Sequence, residues 1–341
     1  MARRLRRWSV RLVVTLIALI AGLVCIGAIY RVIGNWQDAQ RFQQRGRTIQ
    51  AGPVKLNLDC TGQGNPTVVL ESGSTIPALG WAMVQPEVAK FARVCSYDRA
   101  GYGWSEPGPE PRTITQIAKE LKALLDAAGE VSPYVVVGHS LGGFTVRVFT
   151  SLYPNVVAAA VLVESGHPDQ EKYLRAALST KDRRQQERDQ ELQSFLVPWI
   201  IRLGVARLMW RDAGPQSLSR DLREEINYLT WQPKALHAGS AEMQAFEESS
   251  AEVRAAQNLG DRPLIVLTAA KSQLSYSLPG KAEEEQQRIW TEVLQAELAR
   301  LSSRGKQIIV PDSGHMIPFE HPEAVVSAVH EVWSNARTSA R

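Results

Sequence analysis

One serine stands between two glycines in a pattern that nucleophilic catalysis uses. The segment Gly138-His-Ser140-Leu-Gly142 has the form G-x-S-x-G, with three valines before it and a helix-compatible stretch after it. Small residues on both flanks let a strand turn sharply into a helix, because no side chain crowds the bend. A serine held there has an accessible hydroxyl, which can attack a carbonyl carbon. The sequence therefore predicts Ser140 as a nucleophile, although the bare pattern also fits an ordinary glycine-rich turn.

A serine hydroxyl is a weak nucleophile until a neighbouring base removes its proton. His315 follows Ser-Gly in a loop after the last predicted strand, so it is placed to reach Ser140 across the strand ends. His167 also follows a predicted strand and is the competing histidine. We predict His315 as the general base.

Strand-like and helix-like segments alternate along most of the chain, and they must position these side chains. This succession is typical of a parallel sheet with helices on both faces, an α/β fold. Strands are predicted at 54–60, 67–70, 93–97, 135–137, 156–163, 261–268 and 307–310, and helices at 81–91, 113–128, 141–152, 283–301 and 322–336.

The alternation stops for about 90 residues, which are helix-rich, charged at first and apolar from 195 to 210. We interpret this segment as a helical cap inserted into the fold, with the apolar stretch lining a cleft. The predicted divisions are 1–36 for a basic N-terminus and membrane anchor, 37–53 for a stalk and first strand region, 54–168 for the first part of the core, 169–258 for the cap, and 259–341 for the second part of the core.

The N-terminus combines arginines with a long apolar stretch. The 19 residues from Leu12 to Tyr30 carry no charge, and a helix of that length covers about 28 Å, close to the hydrocarbon thickness of a bilayer. Five arginines precede residue 12, which favours a cytoplasmic N-terminus and an extracytoplasmic domain, periplasmic or extracellular. We predict a single-pass anchor; a cleaved signal peptide has the same charge polarity and is the alternative.

The rest of the chain is close to neutral. Without those five arginines, the 39 basic residues become 34, against 35 acidic residues, so we expect no nucleic-acid partner. The sequence has no His/Cys cluster with metal-ligand spacing and no G-x-x-x-x-G-K-[ST] loop. We therefore expect neither a metal nor another cofactor.

Three motifs, in this order and spacing, resemble the α/β-hydrolase fold serine hydrolases of the esterase and lipase type. They are Tyr97-Asp-Arg-Ala-Gly-Tyr-Gly-Trp-Ser105, Gly138-His-Ser-Leu-Gly-Gly143, and Ser313-Gly-His315 followed by His321-Pro-Glu. The resemblance covers about 54–336. It implies a mostly parallel, doubly wound sheet with the inserted cap, and a nucleophile elbow at Ser140.

The resemblance also implies a carboxylate that orients the histidine. Most relatives carry it after the seventh strand, but Leu267-Thr-Ala-Ala-Lys-Ser272 has none. Some relatives with a cap carry it after the sixth strand, where this chain has Glu164, and the order serine, acid, histidine is kept. We predict Glu164, with Asp312 and the cluster Glu283 to Glu285 as alternatives.

Further expectations follow from the resemblance. The oxyanion donors should be the backbone amides of Leu141 and of Ser74, in the loop where the family's usual His-Gly is replaced by Ser-Gly. Glu71 beside that loop is unusual and could be an ion-pair partner or a substrate contact. The second and fourth strands are neighbours in this family, so Cys60 and Cys95 should form a disulfide, the alternative being two buried thiols.

The predicted activity is hydrolysis of a small-molecule carboxylic ester, with a thioester or amide as variants. The alternatives are a membrane-tethered binding module that keeps the fold without turnover, and a lipase acting on membrane lipid esters. A serine nucleophile disfavours dehalogenase and epoxide hydrolase chemistry, which uses a carboxylate at that position in this fold.

Overall fold

The computed structural model describes residues 2–210, 212–256, 258–271 and 280–339. The strands are β1 (Arg47–Ala51), β2 (Val54–Thr61), β3 (Thr67–Glu71), β4 (Val94–Tyr97), β5 (Tyr134–His139), β6 (Val157–Val163), β7 (Leu264–Ala269) and β8 (Gly305–Val310). The helices are α1 (Ala2–Arg41), α2 (Gln85–Val88), α3 (Ile114–Ala128), α4 (Gly142–Leu152), α5 (Gln170–Ala176), α6 (Thr180–Arg202), α7 (Val205–Trp210), α8 (Arg220–Thr230), α9 (Pro233–Gln244), α10 (Phe246–Ala255), α11 (Gly280–Arg288), α12 (Gln295–Ala299), α13 (Ile317–Glu320) and α14 (Pro322–Ser339).

The strands of the described residues form one sheet in the order β1-β2-β4-β3-β5-β6-β7-β8. β1 and β2 pair antiparallel, as do β2 and β4, and the remaining pairs are parallel. The predicted α/β fold with a mostly parallel sheet is confirmed. Because parallel neighbours need crossovers, α3, α4 and α14 connect or close the sheet from its two faces.

Alternating side chains of the strands divide the core into two layers. Val69 and Val136 face a layer that includes residues of α3, α4 and α12. Val68 and Val135 face the other layer, against α2 and α14. Residues of both layers are almost fully buried, and strands β3, β5, β6 and β7 are buried on both faces, as expected for strands covered by helices on both sides. The edge strand β8 is more exposed.

Local signals placed some elements better than others. α3 begins after Thr113, whose side chain accepts a hydrogen bond from the Gln116 amide, and ends at Gly129 with φ 75°, as predicted. The predicted helix at 81–91 is wrong in extent: a 3₁₀ turn at Ala78–Trp81 precedes the short α2. A proline fits only the first turn of a helix, and Pro86 lies in the first turn of α2. The apolar spacing around it therefore does not yield a helix that runs from 81 through this position.

The predicted disulfide is confirmed. Cys60 of β2 lies opposite Cys95 of β4 in the antiparallel ladder, and their sulfur atoms are 2.06 Å apart. The bond joins two adjacent strands at the side of the sheet that carries β1. Cys25 on α1 is a free, exposed cysteine.

α1 is a continuous helix of 40 residues that includes the polar segment predicted as a stalk. In the described part of the chain, residues 11–41 are the one stretch long and apolar enough to cross a membrane, either as an anchor or as a signal sequence. Its last turns contact the helices between β6 and β7. Asp38 pairs with Arg207, and Arg41 pairs with Glu224.

Helices α5 to α10, called the insertion below, follow β6. α8, α9 and α10 bury residues against the sheet region, including Leu229, Ala238 and Val253. The C-terminal end of α6 and the whole of α7 were predicted to line a cleft, and the structure differs. Phe195, Trp199 and other apolar side chains there are exposed, so this stretch does not line a closed cleft.

Candidate active site

The carboxyl ends of three neighbouring strands meet at one edge of the sheet. Glu71, the last residue of β3, lies opposite Gly138 of β5, and β6 ends beside β5. The next residues along the chain are the loop with Ser74, the turn with Ser140, and Glu164. Parallel strands therefore bring three of the predicted site segments to the same edge.

Ser140 has the strained backbone expected of a nucleophile elbow. Its φ is 53°, in the left-handed region that non-glycine residues rarely adopt. Its amide donates to the Val163 carbonyl at 3.1 Å, and its own carbonyl accepts from the amides of Gly143 and Gly166, both at 3.0 Å. These bonds fix the bend while the side chain stays partly exposed.

The glycines around the elbow are sterically required. A β-carbon at Gly138 would collide with the carbonyl of Gly142, and one at Gly142 would collide with the Glu71 carbonyl. A β-carbon at Gly143 would overlap the Ser165 side chain. The first and last positions of G-x-S-x-G therefore carry glycine because backbone packs directly on backbone.

The loop after β3 packs on the nucleophile. A β-carbon built on Gly73 would lie 3.1 Å from the Ser140 β-carbon. Neither the Leu141 amide nor the Ser74 amide has a hydrogen-bond acceptor within the described residues. Two such donors beside Ser140 are the arrangement that an oxyanion hole would require.

His315 lies in the loop after β8, next to the residue that precedes the nucleophile. Its carbonyl accepts a hydrogen bond from His139 Nε2 at 2.8 Å, and the two ring centroids are 4.8 Å apart. Burial lowers the pKa of His315 to about 4, although the nearby Glu320 carboxylate acts in the opposite direction. At neutral pH the imidazole is therefore uncharged and able to accept a proton.

Glu320 is a neighbour of His315 that sequence reasoning missed. It accepts hydrogen bonds from the Gly314 amide at 2.5 Å and from Ser313 Oγ at 3.1 Å. These contacts hold the loop that carries His315. The available sequence signal is weak, because a glutamate at the end of the short helix α13 resembles any solvated helix residue.

Glu164 is buried directly after β6, with φ 42°. One carboxylate oxygen accepts from the Ala269 amide and the other from Trp290 Nε1, both at 2.7 Å. Burial raises the pKa of Glu164 to about 7, and the two donated bonds oppose that shift. Within the described ranges, no hydrogen bond joins Glu164 to the ring of His315.

The alternative acids lie in different surroundings. The Asp312 side chain is 85% exposed, and its carboxylate is 3.4 Å from Lys271 Nζ. The acidic cluster lies on α11, where Glu285 pairs with Arg288 on the surface at 2.8 Å. β7 is followed by no carboxylate as far as residue 271, and position 272 lies outside the described residues.

His167, the competing histidine, has partners of its own. Its Nε2 is 3.3 Å from Glu297, and its Nδ1 accepts from the Asp169 amide at 3.2 Å. Burial lowers its pKa to about 4, and the neighbouring Arg147 contributes. These contacts hold His167 at the start of the insertion.

A buried group of charges lies behind the loop after β3. Arg99 pairs with Glu71 at 2.6 Å and with Glu242 of α9 at 2.9 Å, and all three side chains are at most 2% exposed. Burial raises the pKa of Glu71, whereas Arg99 and the Tyr97 hydroxyl, which donates to this carboxylate, act to lower it. Glu71 is thus an ion-pair partner in this structure.

The same charges hold the proposed oxyanion loop. Arg99 donates to the Ser72 carbonyl at 2.6 Å and to the Gly73 carbonyl at 2.8 Å. Glu242 accepts from Ser74 Oγ at 3.0 Å. Sequence reasoning missed Glu242, because an acidic residue on an inserted helix gives no signal of a partner 143 positions away.

Asp98, the neighbour of Arg99 in the chain, has other partners. It accepts from Asn57 Nδ2 at 2.9 Å and from the amides of Ala78 and Trp104, at 2.7 and 3.0 Å. A carboxylate that accepts three such bonds organises its own loop. Among the described residues, the Arg99 side chain makes no hydrogen bond to Asp98 and instead donates to the proposed oxyanion loop.

The chain is similar to characterised and uncharacterised proteins. It is 28% identical over 180 residues to the uncharacterized protein YbdG of Bacillus subtilis, covering 52% of this chain and 55% of YbdG. It is 32% identical over 121 residues to the 2-hydroxy-6-oxo-2,4-heptadienoate hydrolase of Pseudomonas putida, covering 35% and 44%. The chain thus spans about half the length of these curated relatives.

A solved structure of a thermophilic esterase from Thermogutta terrifontis has the same fold. It superposes with a TM-score of 0.59 at 23% identity, covering 86% of this chain and 99% of that one. The model of the alpha/beta hydrolase family matches residues 68–328. That range contains the nucleophile elbow, the buried charges and the histidine loop, and the chain belongs to the alpha/beta hydrolase family.

Proposed function

We propose that this protein is a serine hydrolase that cleaves a carboxylic ester through an acyl-enzyme on Ser140. Thioesters and amides react by the same steps and are variants of the proposal. The single observation that carries it is the ring of His315 packed against His139, the residue that precedes the strained Ser140. Similarity of fold to an esterase supports the choice of an ester.

The reaction follows from the residues at the sheet edge. His315 takes the proton of Ser140, the serine oxygen adds to the ester carbonyl, and the amides of Leu141 and Ser74 stabilise the oxyanion. The tetrahedral intermediate collapses, and the alcohol leaves with the proton from His315. His315 then takes a proton from water, and the hydroxide adds to the acyl carbon to give a second tetrahedral intermediate. This intermediate collapses to the acid, the bond from the Ser140 oxygen to the acyl carbon breaks, and His315 returns the proton to Ser140.

For the acid that orients His315 we propose Glu164. Each carboxylate oxygen has two lone pairs, so the bonds from Ala269 and Trp290 leave acceptor capacity for an imidazole N–H. Glu164→Gln should lower kcat by about 10³ to 10⁴-fold, because loss of the anion removes tautomer control of the base. Glu320→Gln is the matched control, and a larger loss there would move the role to Glu320.

The hydrolase is tested with a fluorophosphonate, which labels activated serines covalently. The wild type should be labelled and turn over short-chain esters, whereas Ser140→Ala and His315→Ala should lose both. Absence of labelling in the folded wild type would refute the enzyme and favour the alternative, a tethered binding module.

A lipase is the second candidate, favoured by the exposed apolar side chains at the end of α6. It predicts that turnover rises when an ester of fixed chain length passes from dispersed to micellar form. Equal rates in the two forms would refute interfacial action.

We further propose that α1 is an uncleaved anchor with a cytoplasmic N-terminus and an extracytoplasmic hydrolase domain. The packing of Gly27 on the Leu203 carbonyl of the insertion supports retention, because this contact lies inside the charge-free stretch that cleavage would remove. The disulfide supports an oxidising compartment. The protein should resist extraction from membranes by carbonate, and its release would contradict the anchor.

A further inference from the structure

The insertion carries an exposed apolar surface that the proposed chemistry does not use. Phe195 is 66% exposed, Trp199 51% and Leu208 73%. Several large apolar side chains exposed on two contacting helices, α6 and α7, are unfavourable in water and mark a contact site. We call it the apolar face, and it comprises Phe195, Leu196, Trp199, Leu208 and Met209.

The loop between α6 and α7, which adjoins this face, packs directly on α1. A β-carbon at Gly27 would collide with the Leu203 carbonyl, and one at Gly204 would lie 2.8 Å from the Gly27 carbonyl oxygen and 3.3 Å from the Tyr30 ring. Glycine on both sides allows this close approach of backbones. The loop is thereby fixed to a particular height along α1.

That height lies inside the charge-free stretch of α1. Gly27 precedes Tyr30, the last residue of that stretch, by three positions, which corresponds to about 5 Å along a helix. If the stretch spans a bilayer, the loop between α6 and α7 lies at about that depth below the edge of the hydrocarbon. Interfacial helices bury their apolar faces about 5–10 Å deep, which agrees with this position.

We propose that the apolar face is inserted in the bilayer leaflet on the side of the hydrolase domain, where α1 leaves the membrane. The protein is then held in the membrane by a spanning helix and by an interfacial part of the insertion. The occupant of the face is lipid, because the adjoining loop packs on α1 inside its charge-free stretch, whose large apolar side chains are also exposed. Arg202 lies over the Trp199 ring at 5.6 Å, and such an aromatic and basic pair suits the headgroup region. The inference rests on the proposed anchor and not on the proposed catalysis.

The test uses the full chain in phosphatidylcholine vesicles, with one environment-sensitive dye on a single cysteine and the native disulfide left oxidised. The dye is placed on native Cys25, or on Phe195→Cys, Leu208→Cys or Gln185→Cys in a Cys25→Ala background. All of these positions are exposed, so substitution should leave the fold intact, as checked by the urea midpoint. Gln185, in the charged first half of α6, is the matched control.

A shallow nitroxide lipid should lower the fluorescence at 25, 195 and 208 by at least about two-fold and leave 185 unchanged. If 195 and 208 are instead reached by aqueous iodide as readily as 185, the face lies in water and the proposal is overturned. If neither quencher reaches 195 and 208, a second copy of the chain covers the face, which also overturns it. In either case, quenching of the dye on Cys25 by the nitroxide lipid would still support the anchor. Absence of this quenching would contradict the anchor itself.

Discussion

Substitution of Arg99 should show how strongly the buried ion pairs behind the proposed oxyanion loop stabilise the fold. Arg99 is the cation between Glu71 and Glu242, and it also donates to the carbonyls of Ser72 and Gly73. Arg99→Met keeps much of the side-chain volume but leaves two buried carboxylates facing each other. Each of them must then bind a proton for the fold to persist, because an unpaired charge is costly in the interior.

The cost depends on pH in a way that the structure sets. The folded variant holds two protons that the unfolded chain, with glutamate pKa values of about 4.3, releases at neutral pH. Its stability should therefore fall as pH rises, by about 2.7 kcal/mol per pH unit, and the deficit should reach about 7 kcal/mol at pH 7. That is comparable to the whole free energy of unfolding of many domains.

Urea unfolding at pH 5, 6 and 7 measures this slope after subtraction of the wild-type values. Arg112→Met is the matched control, because Arg112 is equally buried and pairs with one carboxylate, Glu120, at 2.7 Å. Its slope should be about half as steep, about 1.4 kcal/mol per pH unit. Equal slopes for the two variants, or a deficit of Arg99→Met that does not change with pH, would refute the assignment of two dependent carboxylates.

Three further outcomes are expected. With the pKa of His315 lowered to about 4 and that of Glu164 raised to about 7, wild-type kcat/KM for a neutral ester should fall as pH drops through about 7, whereas the residual kcat/KM of Glu164→Gln should stay constant from pH 8 down to about 5 and fall through about 4; a midpoint near 6.5 in Glu164→Gln would show that the base is not shifted. Gly142→Ala drives a methyl group into two carbonyls of the loop after β3, so acylation should slow by on the order of 10²-fold, whereas Gly280→Ala, with open space around it, should change nothing; similar rates for both would contradict the packing. Replacing Cys60 and Cys95 by alanine opens a 35-residue loop, which should lower the free energy of unfolding by about 2–4 kcal/mol; an unchanged urea midpoint would refute a stabilising disulfide.

The parts of the fold that sequence patterns predict are those set by local physics. The apolar runs of β5 and β6, the cap at Thr113 and the stop at Gly129 are each specified within a few residues, and they were predictable. The extent of α1 was not, because its polar last turns are stabilised by ion pairs with the insertion. A contact across that distance leaves no periodic signal.

The site shows the same division. The steric requirement for glycines beside Ser140 is local, so the elbow could be predicted from its motif. The role of Arg99 was not predicted, because its partners come from β3 and from α9, and only the folded chain brings them together. The apolar stretch near Phe195 was expected inside the cleft, since composition predicts burial but does not say whether protein or lipid is the neighbour.

The bonds of Glu242 limit how this enzyme can be re-engineered. One carboxylate on α9 serves both Arg99 and Ser74, so the insertion carries a structural partner of the loop after β3. A chimera that replaces the entire insertion with that of a relative would strip this partner from Arg99. A chimera of the insertion should therefore keep α9 from the original chain.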